Sequence, residues 1–133
     1  TMNKLHMSER WMNELDLARI NKLNAPFPPE LREAIDDAEV IKPQEMPADV
    51  ITMNSLFTIV ETESGSSNKL MLCYPSDAEP AKGFISVLSP AGASLLGRKA
   101  GTLAQWATPN GEQHFAMVKE ILFQPEASGD YTT

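Results

Sequence analysis

Three prolines crowded into one short turn, Pro26, Pro28 and Pro29, constrain this chain more than any other feature. Each removes a backbone N–H and fixes φ, so no helix runs through them. Helical periodicity nevertheless stands on both sides. Before them Trp11, Leu15, Ala18 and Lys22 recur at helical spacing, Leu17 and Ile20 widen the stripe, Ser8 is an N-cap candidate and Glu9 sits in the first turn. That pattern predicts a helix over 8–23. After them Pro29 suits the first position of a second helix, whose Leu31, Ala34, Ile35, Ala38 and Ile41 repeat the period until Pro43 ends it. Two amphipathic helices joined by so short a turn predict an antiparallel αα-hairpin. A helix of about 16 residues would be ~24 Å long, at 1.5 Å per residue.

Residues 44–49 read as a linker, and beyond it the apolar period changes to two. Ile51, Met53, Phe57 and Ile59 alternate with Thr52, Asn54 and Thr58, which predicts a half-buried strand. A polar turn at 63–68 leads to a strand over 69–74, a loop over 75–83 and a strand over 84–88. Ser89-Pro90 offers an N-cap followed by proline at the first helical position, and Gly97 stops a very short helix. Segments 103–108 and 114–123 predict a hairpin closed around Pro109-Asn110-Gly111. The polar tail from Pro125 is expected to be loose. The fold class is α+β, with a helical segment over 1–48 and a mostly antiparallel sheet with one short helix over 49–133.

The chain has 133 residues, 42% hydrophobic and 22% charged, as expected of an ordinary globular protein, with a net charge of −7. Its basic residues are scattered, whereas a surface that tracks phosphates needs them clustered, so direct nucleic-acid binding is not expected and a basic protein partner is. Cys73 is the single cysteine. It can form no internal disulfide, and in the run Leu70–Tyr74 it reads as a buried strand thiol. No apolar run approaches the ~20 residues that span a bilayer, and no signal-peptide pattern opens the chain, so a cytoplasmic address follows.

Catalytic patterns are weak. His6 and His114 lie far apart, and Ser94 lacks the flanking glycines of a nucleophile elbow. Asp36 and Glu39, with Asp37 beside them, either pair to hold a divalent ion or form a solvated face; the solvated face is preferred. Phe27 either staples the turn to Leu31 or serves as a contact point. Trp11 and Trp106 read as core residues. No catalytic residue, metal or cofactor is expected.

The segment Ile85-Ser86-Val87-Leu88-Ser89-Pro90-Ala91-Gly92-Ala93-Ser94-Leu95-Leu96-Gly97-Arg98-Lys99-Ala100-Gly101, followed by Thr108-Pro109-Asn110-Gly111, resembles the C-terminal domain of the Gre transcript-cleavage factors. The resemblance spans about residues 50–124 and implies an FKBP-like fold for the sheet. The stretches Met46–Ser55 and Gln124–Tyr131 point further, to one particular branch of that family whose length matches most of this chain.

In Gre factors the loop around Ser-Pro docks on the rim of the RNA polymerase secondary channel. Here that implies Leu88, Ser89, Pro90 and Ala91 as the polymerase-binding residues. A Gre coiled coil carries an Asp and a Glu at its tip that help hold a catalytic magnesium. The corresponding tip here, Asn24 to Pro29 with Asn24, Pro26 and Phe27 foremost, contains no carboxylate. The resemblance therefore implies a monomeric, non-enzymatic competitor of Gre factors at the secondary-channel entrance, with an indirect influence on nucleoside diphosphate kinase levels. The alternatives are an active cleavage factor using Asp36, Asp37 and Glu39, or an FKBP-like prolyl isomerase. Aromatic residues are only 7% of the chain and dispersed, which disfavours an isomerase pocket.

Overall fold

A computed structural model describes residues 10–131. In chain order the elements are β1 (Trp11–Asn13), α1 (Glu14–Asn21), α2 (Pro29–Asp37), β2 (Glu39–Ile41), β3 (Leu56–Glu61), β4 (Ser67–Cys73), β5 (Phe84–Ser86), α3 (Pro90–Leu95), β6 (Leu103–Ala107) and β7 (Gln113–Phe123). The α+β class holds. One curled sheet has the order β5-β4-β3-β7-β6, and its pairs are antiparallel except β4 with β5. β1 and β2 form a separate two-stranded parallel ladder.

The sheet follows local signals. Phe57 and Ile59 on β3, Leu72 on β4, Ala104 on β6 and Ala116 and Val118 on β7 are buried and alternate with more exposed neighbours. The β6–β7 hairpin turns at the expected place, with Gly111 at φ +88°. The strand expected from Ile51 begins only at Leu56. Ile51 and Met53 are fully buried, but Thr52 N–H donates to Ser55 Oγ (2.9 Å), Ser55 N–H to Thr52 O (3.1 Å), and Asn54 takes φ +68°. Side-chain bonding to the local backbone competes with a ladder and here replaces it. β5 likewise ends at Ser86, where the next turn begins.

The N-terminal elements are shorter than the period suggests. α1 starts at Glu14, so Trp11–Asn13 is strand and not helix; the proposed cap Ser8 lies outside the described residues. Asn13 is the N-cap, its Oδ1 accepting from Asp16 N–H at 2.6 Å. α2 does begin at Pro29, but it ends at Asp37, and Glu39–Ile41 pairs with β1 in place of a last helical turn. The reason is tertiary. Trp11 N–H donates to Gly97 O (3.1 Å) and Glu39 N–H to Arg10 O (2.9 Å), so distant carbonyls claim donors that a helix would have used. α1 packs on β1 and β2, and α2 packs on α3.

One apolar cluster runs through both parts. Met12, Ile20 and Leu31 join Ile51, Met53, Phe57, Leu72, Val87, Leu95 and Leu96. Cys73 is buried on the parallel seam, its thiol donating to Ile85 O at 3.3 Å, and burial raises its pKa. The tail is not loose where it begins. Buried Gln124 donates to Pro47 O (2.7 Å) and Val50 O (2.8 Å), and residues 126–128 form a turn.

Candidate functional site

The loop before α3 is rigid for identifiable reasons. Ser89 caps the helix, its Oγ accepting from Gly92 N–H at 3.1 Å and donating to Ser86 O at 2.6 Å. A Cβ added at Gly92 would sit 2.0 Å from Ser86 O, so no other residue fits there. The Ser89 hydroxyl is thus engaged inside the fold, and its neighbours Leu88, Pro90 and Ala91 form the presented surface. Pro90 takes the expected first helical position and is half-buried, as are Leu88 and Ala91, because α3 lies against the sheet and α2.

The structure brings Leu88 to the tip. A groove of about 290 Å³ is lined by Leu23, Asn24, Ala25, Tyr74, Ser76 and Leu88, among others. Asn24 and Pro26 are exposed, while Phe27 is half-buried and packs against the core, as a staple would. The turn lies beside the Leu88 loop and does not project from it. With 8 and 9 residues, α1 and α2 are only ~12 and ~14 Å long, at 1.5 Å per residue.

Polar contacts that the sequence does not announce tie residues 10–16 to α3 and to the sheet. Arg10, 3% exposed, donates from Nε to Leu96 O (3.1 Å) and from Nη2 to Ala93 O (2.8 Å) and Ser94 O (2.9 Å). It thereby satisfies the carbonyls that the end of α3 leaves over, with a cation at the negative end of the helix. Burial, and then Arg98, bring its pKa down to about 10. A second network joins three segments. Asn13 Nδ2 and Thr52 Oγ1 both donate to the Glu126 carboxylate, the latter at 2.8 Å, and Met53 N–H donates to Asp16 Oδ2 at 3.1 Å. Burial raises the Asp16 pKa to about 7, opposed by the Met53 bond and assisted by the charge of Glu126.

The remaining candidates are dispersed. Asp36 and Glu39 are exposed and Asp37 is half-buried. Among the described residues no group of three or more His, Cys, Asp or Glu side chains has metal-holding geometry. His114 stacks on Trp106 with ring centroids 5.8 Å apart, and the Lys99 ammonium lies 5.4 Å from the Trp11 ring centroid. Both tryptophans are half-buried, and Trp106 packs on the core. His6 lies outside the described residues.

The site is thus a Ser-capped loop leading into a proline-started helix that rests on a curled sheet. The family described as "Transcription elongation factor, GreA/GreB, C-term" matches residues 46–122, and the chain belongs to that family. It is similar to the regulator of nucleoside diphosphate kinase of Escherichia coli K12, 35% identical over 127 residues, covering 90% of this chain and 93% of the relative. Transcription elongation factor GreA of Helicobacter acinonychis is 32% identical over 71% of this chain, which spans 60% of that factor. Among solved structures, a GreA/GreB elongation factor from Nitrosomonas europaea superposes with a TM-score of 0.70 and 31% identity, over 86% of this chain and 98% of the other. Among the described residues no helix is long and apolar enough to cross a membrane.

Proposed function

We propose that the chain binds bacterial RNA polymerase at the rim of the secondary channel and occupies the Gre docking place without stimulating transcript cleavage. The contact face is Leu88, Pro90 and Ala91, held by Ser89, together with Asn24, Pro26 and Phe27. In this reading α1, the 22–28 turn and α2 take the place of the Gre coiled coil, and the sheet with α3 is the FKBP-like part. The chain acts in the cytoplasm, as a monomer, and its effect on nucleoside diphosphate kinase levels is a consequence of altered transcription.

The observation that carries this reading is the shared groove of about 290 Å³, which sets the tip against Leu88. A tip folded onto the docking loop has no reach, and residues 22–28 offer no charged oxygen. Metal-assisted phosphodiester cleavage needs carboxylates that fix a cation and its attacking water. The family membership and the named relatives support the partner; the geometry supports the lost activity.

The test is a backtracked elongation complex, followed by RNA shortening. Alone, the protein should leave the polymerase's own slow rate unchanged. In excess it should suppress cleavage stimulated by an authentic Gre factor, and P90E should weaken that suppression. Stimulation of cleavage by the wild-type protein would rule out the non-cleaving role, and undiminished Gre cleavage at saturation would rule out the shared docking place.

A further inference from the structure

The two edges of the five-stranded sheet are treated differently. At one edge β5 is three residues long and is closed by the preceding loop: Glu79 N–H donates to Phe84 O (2.9 Å) and Phe84 N–H to Glu79 O (3.1 Å). At the other edge β6, Leu103-Ala104-Gln105-Trp106-Ala107, contains no charge and no proline, the usual means of blunting an edge.

The register shows which backbone groups of β6 face outward. Thr108 N–H donates to Glu112 O and Val118 N–H to Thr102 O, both at 2.9 Å, so Thr102, Ala104, Trp106 and Thr108 point their backbone groups at β7. By the alternation of an antiparallel ladder, Leu103, Gln105 and Ala107 point theirs away from the sheet. The Ala107 N–H does so visibly, donating to Glu30 Oε2 of α2 at 3.4 Å. A groove of about 350 Å³ runs along this edge, between Gln105, Trp106 and Ala107 on one side and Pro29, Glu30 and Glu33 on the other. Leu103 is 45% exposed at its end.

We propose that the β6 edge is a second interaction site, which takes an extended basic segment of a partner protein as an added antiparallel or parallel strand. The outward N–H and C=O groups of Leu103 and Gln105 supply the ladder, as in other cases of strand addition. Charge selects the occupant. Glu30 already reaches an edge N–H with one oxygen, and an arginine or lysine of the added strand completes it. Arg98 and Glu33 also line the groove, with Arg98 Nε donating to Ser94 O. The excess carboxylate lies at the Glu30 end, on a chain of net charge −7. An acidic strand would meet repulsion there. The site uses residues separate from the Leu88 groove and does not depend on that groove's assignment.

The experiment is fluorescence anisotropy of a short labelled peptide alternating arginine and valine, titrated with the intact protein. Binding should be lost when alternate peptide amides are N-methylated in the register that faces β6, and kept when the other set is methylated. E30Q with E33Q should weaken binding roughly tenfold through lost charge pairing. Q105P should abolish it, and its fold should survive because that N–H is not used within the sheet. Equal binding of both methylated peptides, or none by the parent peptide, overturns the proposal. So does a concentration-dependent dimer that Q105P disperses, which would make a second copy of this chain the occupant. Should Q105P fail to fold, the methylation comparison still decides.

Discussion

Residues 10–45 and residues 46–131 belong to one core but are ordered by different means. In the second part each element carries its own local instruction: alternation for β3 and β7, a serine cap and a proline for α3, a glycine at the hairpin turn. In the first part the decisive contacts are remote. β1 is a strand because Gly97 offers it a carbonyl, and α2 ends where Arg10 claims the next N–H. The difference teaches that the part bearing the tip has little conformational autonomy. Its shape is a property of the sheet it rests on, and short helices of this length are marginal alone in water.

That contrast is most exposed at Arg10. Arg10→Ala should remove three hydrogen bonds made by a buried cation and take this donor from Ala93 O and Leu96 O, Ser94 O keeping its bond from Arg98, a loss of about 4 kcal/mol at 1.5–3 kcal/mol per charged bond less the recovered desolvation. Urea unfolding followed at Trp11 and Trp106 should show one shared transition shifted to lower denaturant. Separate transitions at the two tryptophans would break the claim of dependence.

The second test uses protons. The folded-state pKa of Asp16 lies above its unfolded value, so its protonated form favours folding. That contribution is complete below about pH 4 and is lost as pH rises through about 7. Between pH 5 and 7.5 stability should fall by roughly 2 kcal/mol, and Asp16→Asn should flatten the fall. Thermal melts across that range measure it, and a variant with an unaltered pH slope would remove Asp16 from the account. The smallest effect belongs to the locally ordered part. Gly111→Ala meets no neighbouring atom, so only the positive φ is strained, and the expected loss is about 1 kcal/mol with no change in the first part. Differential scanning calorimetry resolves a shift of that size, and a loss as large as that of Arg10→Ala would erase the distinction between the two parts.

Legibility in the sequence follows the reach of each signal along the chain. The cap at Ser89, the start at Pro29 and the Gly111 hairpin were readable because each signal acts within a few residues. Trp11 and Ile41 were misread as helical because their apolar spacing is genuine while their hydrogen-bond partners lie elsewhere in the chain. Ile51 and Met53 alternate like a strand, yet Thr52 and Ser55 hold them in a turn. Glu126 looked like part of a loose polar tail because polarity does not disclose a buried partner. Of the candidate site, Leu88 to Ala91 and the tip from Asn24 could be named from the family resemblance. The meeting of Leu88 with Asn24 in one groove, and the anchoring of Arg10 on the end of α3, required three dimensions.

The lone cysteine has a practical corollary. Cys73 is sealed against the β4–β5 seam, and its raised pKa keeps it a thiol. With only 2% of the residue exposed, a maleimide or disulfide reagent gains full access to it when that seam parts. With one sulfhydryl per chain, the modification rate counts those excursions directly, and its dependence on reagent concentration separates the opening rate from the opening equilibrium. The protein thus carries its own clock for the motions of the sheet edge that its loop keeps closed.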